Sequence, residues 1–266
     1  MCIRDRPSTF EAILKSHYYQ QNITQESYDM ARFALETAIL NDPKNPTLLA
    51  FMGELYIDAS IFGFADIQDA IAKGCEFSSL AVTIDPTCQV AHHSRAYAAF
   101  VNRDSDGVIR SAERITEINP HAASMIAVAG FWFCLCGEDE KGMKWFSAGT
   151  ELNPMYERWL HAAPYFYCLH KKKYEAALKH AREIEMPGFF WGNIMRVSVL
   201  GLLGRTDEAS LEYDKLLELK PDFPTKYRDY LNSFVWDEKL LDRMIAGIET
   251  LRTGSTGNRT ATAKAV

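Results

Sequence analysis

The residues in this chain that could do chemistry are scattered, and their spacing works against it. His92 and His93 are adjacent. Neighbours on a helix point about 100° apart, so the two cannot grip one ion without ligands from elsewhere. One is expected to face a groove and the other to pack. His161 and His170 lie nine apart, and neither Glu-x-x-His nor His-x3-His occurs. The six cysteines (Cys2, Cys75, Cys88, Cys134, Cys136, Cys168) form no paired framework. Cys134 and Cys136, two apart on a helix, diverge, which suits neither a metal clip nor a disulfide. They read as small buried apolar residues in a reducing compartment. Ser94, Ser124 and Ser147 lack the strand-turn-helix elbow of a nucleophile. Gly201-Leu202-Leu203-Gly204 ends a helix, with no Lys-Ser/Thr pair after it, so it is no phosphate loop. Glu138 and Glu140 sit in a turn, where solvation is the default. The pattern predicts no enzyme, no metal site and no cofactor.

Charge and hydropathy narrow the partner classes. The chain of 266 residues carries a net charge of −6, which argues against direct nucleic-acid binding. Its one basic run, Lys171-Lys172-Lys173, falls at an expected inter-helix turn. No run of about 18 uncharged apolar residues appears, so no membrane span is expected. With thiols suited to a reducing compartment, the expected location is cytoplasmic. Met1-Cys2-Ile3-Arg4-Asp5-Arg6 resembles the translation of a transposase-end sequencing adapter and lacks the apolar core of a signal peptide. Residues 1–6 are read as a scar, with the native start missing.

The elements that must position any site follow a regular beat. Ile84-Asp85-Pro86, Ile118-Asn119-Pro120 and Leu152-Asn153-Pro154 place prolines 34 residues apart, twice in succession. Proline cannot continue a helix and pushes the residue before it out of the helical region. Before these prolines runs a small-x3-large-x2-small-x4-Pro pattern. It is clearest at Ala31, Leu35, Ala38, Pro43, at Gly142, Phe146, Gly149, Pro154 and at Ala209, Tyr213, Leu216, Pro221. Small residues belong where two helices approach closely. After the prolines comes large-x2-apolar-small-x2-aromatic, as in Leu49, Met52, Gly53, Tyr56 and Ile126, Ala129, Gly130, Phe133. Pro164 takes the small position in Leu160, Ala163, Pro164, Tyr167 and predicts a kink. Two intervals depart from the beat. Pro43 to Pro86 is nine residues too long, with the excess in Ile57–Gly74, and Pro154 to Pro221 is one short of two units, distorted at Met186-Pro187-Gly188.

A 34-residue helix–turn–helix period is that of a tetratricopeptide repeat. From about Phe10 to Leu251 the chain resembles the tetratricopeptide region of large bacterial regulators. The likeness is carried by Ala38-Ile39-Leu40-Asn41-Asp42-Pro43, Trp159 through Tyr174, Met186-Pro187-Gly188-Phe189-Phe190-Trp191, and Leu203-Gly204-Arg205 through Phe223. In such regulators the repeats follow an adenylyl/guanylyl cyclase, winged-helix or protein kinase domain, of which no motif occurs here. The resemblance implies an all-α fold, a right-handed α-α superhelix of about six to seven helix pairs over residues 7–252. Composition adds a disordered tail over residues 253–266.

The resemblance also implies an inner face lined by the first helix of each pair. It would carry Ala50, Glu54, Asp58, His93, Tyr97, Phe100, Phe131, Arg158, His161, Tyr165 and Trp191. The binding residues expected in this groove are His93, Tyr97, Phe131, Arg158, His161, Tyr165 and Trp191, since Tyr, Trp and Arg dominate binding hot spots. The row lacks the lysine and asparagine clamp by which the family grips a C-terminal carboxylate. The expected function is a non-catalytic interaction and regulatory module, the C-terminal part of a larger bacterial signalling protein. Its partner would be a peptide, a protein or its own N-terminal effector domain. The alternative is a free-standing scaffold, and a catalytic helical array is the third reading.

Overall fold

A computed structural model describes the backbone of residues 8–262 and the side chains of residues 8–251. Residues 1–7 and 263–266, with the adapter scar and the end of the expected tail, lie outside the described residues. Among these there are fourteen α-helices and no strand. The chain is an α-α solenoid of seven successive helix pairs, in two compact units that divide between Leu160 and His161. Among the described residues no helix is long and apolar enough to cross a membrane.

The first unit holds α1 (Thr9–Gln21), α2 (Gln25–Asn41), α3 (Pro46–Phe62), α4 (Ala70–Ile84), α5 (Gln89–Val101), α6 (Ser105–Ile118), α7 (Ala123–Leu135) and α8 (Asp139–Leu152). The helices stop where the Asp-Pro and Asn-Pro pairs require: α2 at Asn41, α4 at Ile84, α6 at Ile118 and α8 at Leu152. Thr24 starts α2 with a capping box, and Asn45 caps α3 ahead of Pro46. Packing follows the small-large-small pattern. Ala31, Leu35 and Ala38 are fully buried. In the tightest pair, α7 against α8, a Cβ on Gly130 would lie 2.4 Å from the Phe146 nitrogen. One on Gly149 would lie 2.5 Å from the Ala127 nitrogen. No side chain fits there, and that is why glycine takes the small positions.

The excess at Ile57–Gly74 is a helix extension plus a loop. α3 runs to Phe62 and ends on Gly63 at φ 75°, a left-handed cap suited to glycine. The loop folds back. Phe64 stacks on Phe62 at 5.6 Å and lies 5.2 Å from the Tyr28 ring and 6.2 Å from the Tyr19 ring. On its other side an open cleft of about 910 Å³ is lined by Ala59, Asp66, Asp69, Cys75 and Asn102 among others.

The second unit holds α9 (Ala162–His170), α10 (Tyr174–Glu183), α11 (Phe190–Leu202), α12 (Thr206–Leu219), α13 (Phe223–Phe234) and α14 (Glu238–Thr262). The kink expected at Pro164 is replaced by a late start. Arg158–His161 form a 3-10 turn and α9 begins at Ala162, so Pro164 falls in a first turn, where its missing N–H costs nothing. α14 runs on to Thr262, so the backbone is helical through the first part of the segment whose composition reads as a disordered tail.

The α13–α14 pair closes back on the first helices of this unit. α14 packs along α11, where a Cβ on Gly247 would lie 1.9 Å from the Ser198 carbonyl oxygen. Arg243 donates to the carbonyls of Leu169 (2.8 Å) and His170 (3.0 Å) in the last turn of α9. Phe234 lies 4.6 Å from the Trp191 ring, and Tyr230 lies 5.5 Å from Phe190.

Candidate functional site

Of the seven residues expected in a groove, the second unit contains three. Tyr165 is 0% exposed and Trp191 is 1% exposed. The Tyr165 hydroxyl donates to the Met195 carbonyl at 3.3 Å, and Trp191 lies under Phe234. Neither offers a surface to an incoming ligand, because Tyr165 is packed against α11 and α13 covers Trp191. The third, His161, is half-buried, with its Nδ1 3.3 Å from Nδ1 of His180.

In the first unit the row collapses into a cluster. Glu54 and Asp58 lie one turn apart on α3, and both are buried. Asp58 accepts from two tyrosines, Tyr19 of α1 at 2.9 Å and Tyr97 of α5 at 2.7 Å. Glu54 accepts from the Gln20 amide of α1 at 2.9 Å through Oε2. Its Oε1 makes no hydrogen bond, although Glu54 is only 6% exposed and Nε2 of His93 stands 3.7 Å away. A buried acceptor left empty costs about 1–3 kcal/mol.

His93 is 8% exposed and its tautomer is fixed by its neighbour. Trp132 of α7 donates its indole N–H to His93 Nδ1 at 3.0 Å. Indole only donates, so Nδ1 accepts and the ring proton of neutral His93 sits on Nε2, towards Glu54. Around the imidazole lie Trp132 at 5.7 Å and Trp159 at 6.3 Å, the latter nearly parallel to it. Phe131, 4% exposed, packs edge-on against Trp159. Tyr97, Gln20 and Trp159 are half-buried and form the rim, and Arg158, next to Trp159 in the chain, is exposed.

Burial sets the protonation states. It pushes the Glu54 carboxyl up to about 8, with the Asp58 charge adding to the rise and the Gln20 hydrogen bond opposing it. It pushes Asp58 up to about 6 against the pull of the two tyrosine hydroxyls, and holds His93 down to about 4. At neutral pH the cluster is therefore Glu54 protonated, Asp58 mostly ionised and His93 neutral. Paired carboxyls with separated affinities for protons are the raw material of acid–base catalysis. Here both Asp58 oxygens are occupied, and the open cleft is lined by other residues.

His92 is the packed member of the pair, its Nε2 3.0 Å from the Pro86 carbonyl. Among the described residues no three His, Cys, Asp or Glu side chains converge as metal ligands would. The five described cysteines are free thiols, and burial raises Cys134 to about 12, far from reactive.

The sequence reading placed Glu54, Asp58, His93 and Tyr97 on one inner face, and the structure brings these four together. It missed Tyr19, Gln20, Trp132 and Trp159. A signal for two of these existed: Tyr19–Asp58, Asp58–Tyr97 and His93–Trp132 are each 39 residues apart, the offset at which neighbouring first helices meet here.

No family model matches the chain. No curated protein matches it either. Among solved structures it is similar to a tetratricopeptide repeat protein from Parabacteroides merdae ATCC 43184, at 12% identity and a TM-score of 0.47, over 91% of this chain and 98% of that one. It is similar to MamA protein at 17% identity and a TM-score of 0.35, over 82% of this chain and 96% of that one. A third likeness, to Naa15/Naa10 bound to HypK-THB, has 14% identity and a TM-score of 0.41 over 85% of this chain but only 38% of that one. The solenoid assignment itself stands on the helix pairs described above.

Proposed function

We propose that the chain is a non-catalytic interaction module that takes a peptide or protein segment on the α1–α3–α5–α7 face of its first unit. One observation carries this reading. Four successive first helices deliver polar and aromatic groups to one buried cluster, with Gln20, Tyr97, Trp159 and Arg158 left at its rim. The matching face of the second unit is filled by α13 and α14, so it plays no part in capture.

Panning a phage-displayed random dodecapeptide library on the full chain tests the proposal. Peptides should enrich whose binding falls at least tenfold with Trp159→Ala and weakens with Arg158→Ala. Enrichment indifferent to both changes, or no enrichment, would sink it.

Within this reading the resemblance to bacterial regulators supports a regulatory role, in which partner binding biases a cyclase, winged-helix or kinase domain of a longer protein. The gene upstream of the Pro7 codon decides between this and a free-standing scaffold. An encoded effector domain supports the regulator, and a start codon with no domain before it supports the scaffold.

A further inference from the structure

The cluster on the first unit has an electrostatic preference, and this inference rests on the reading above that the same face is a binding site. Its innermost groups are two carboxyls one turn apart, and one of the four oxygens is empty. Glu54 Oε1 is buried without a hydrogen bond, while Oε2 is held by Gln20 and both Asp58 oxygens are held by Tyr19 and Tyr97. While Glu54 is protonated its proton has no acceptor here, and once Glu54 ionises Oε1 is a buried acceptor with no donor, a vacancy for one.

The neighbours do not fill it. His93 points its Nε2 proton that way but stands 3.7 Å off, too far for a hydrogen bond, and its Nδ1 is tied to Trp132. The titratable groups facing Glu54 are Asp58 on its own helix and His93 and Tyr97 on α5, with neutral Gln20 from α1 and Tyr19 beside Asp58. None of these is a cation at neutral pH. Tyr97 lies close to Glu54, and Trp132 and Trp159 pack against the His93 ring on the way out to the rim, where aromatic faces attract cations. A divalent ion finds no third ligand, and an anion would meet two carboxyls in a chain of net charge −6.

We propose that Glu54, beside Asp58 and Tyr97 and below the aromatic rings around His93, receives a single cationic side chain, a lysine or arginine of the bound peptide. Oε1 is closed to solvent in the unbound form, so the half-buried Gln20 and Tyr97 shift outward for the cation to enter and donate to Glu54 Oε1. Glu54 gives up its proton to solvent as the cation arrives, so capture releases up to one proton. Affinity rises with pH until Glu54 is ionised before binding.

The dodecapeptides that depend on Trp159 supply the probe. They should share a lysine or arginine. Each is synthesised with that residue and with its neutral analogue, norleucine for lysine or citrulline for arginine. Both forms are titrated calorimetrically into the full chain and into Glu54→Gln, a near-isosteric neutral change whose fold is checked by circular dichroism. Neutralising the peptide or Glu54 should each weaken binding at least tenfold, and doing both should cost little more than either. Wild-type affinity should rise by up to about tenfold per pH unit between pH 6 and 8, and Glu54→Gln should abolish the rise. Peptides that need Trp159 but bind equally with the neutral analogue and to Glu54→Gln would overturn the cation site while leaving the binding face intact. A failure to find any Trp159-dependent peptide would overturn both.

Discussion

Glu54 is the residue on which most turns, and its proton has a thermodynamic signature. Its folded affinity for a proton is raised to about 8 from an ordinary 4.5. A raised acid stabilises the fold fully below the lower value, and that stability is lost as pH climbs through the upper one. His93 works in the opposite sense. It is depressed to about 4 from 6.5, so its contribution is complete above 6.5 and is lost on acidification. Asp58, raised to about 6, has largely ionised by the same point. Between pH 6.5 and 8 Glu54 therefore makes the largest contribution, opposed in part by His93 and by His92 and His180, which are depressed likewise. The unfolding free energy from urea titration should fall by about 1 kcal/mol over that window, and Glu54→Gln should reverse the fall into a slight rise. A wild-type curve already flat or rising from 6.5 to 8 would show that Glu54 is ionised throughout. Much of this site was legible in the sequence through its resemblance to tetratricopeptide repeats, which implied an inner face carrying Glu54, Asp58, His93 and Tyr97. Trp132 was not. Phe131 beside it was expected on the inner face, and one residue of helical register turns a side chain by about 100°. Only the packing of α7 against α8 settles which of the two meets His93.

At the scale of elements, helix ends and helix contacts were read more surely than helix faces. The Asp-Pro and Asn-Pro pairs stop their helices within a residue, since a proline's missing N–H and ring clash are local effects that need no tertiary context. The excess at Ile57–Gly74 was also visible as a broken interval. What it does was not. Phe64 returning to Tyr19 and Tyr28 depends on where α1 and α2 lie, and no local pattern encodes that. The role of α13 and α14 was likewise hidden, because their frequent charges suit a terminal cap as well as a lid. The contact that closes them is testable. Gly247 lets α14 approach α11 so closely that a methyl group would meet backbone at Ser198. Gly247→Ala should cost about 1–3 kcal/mol, the usual range for overpacking, seen as a lower urea midpoint. Substituting exposed Ala246 by serine should change stability by under about 0.5 kcal/mol. Equal, small effects at both positions would show that the helices separate freely.

On the scale of the whole molecule, the two units divide the labour. The first holds every group of the candidate site, and its helices α1 to α8 form one compact body. Residues 8–160 expressed alone should fold with a single cooperative urea transition and keep the pH dependence assigned to Glu54. A molten, non-cooperative transition would show that the first unit borrows its stability from the rest of the chain. The second unit has filled its own inner face with α13 and α14, and that sets a ruler for the first. On the proposal above, α1, α3, α5 and α7 read the partner. First helices packed about 9 Å apart span roughly 27 Å over three intervals, which an extended strand crosses in about eight residues at 3.3 Å each. The proposed footprint is then a short linear motif, with the lysine or arginine for Glu54 expected near its N- or C-terminal third rather than at its centre, because α3 is second of the four.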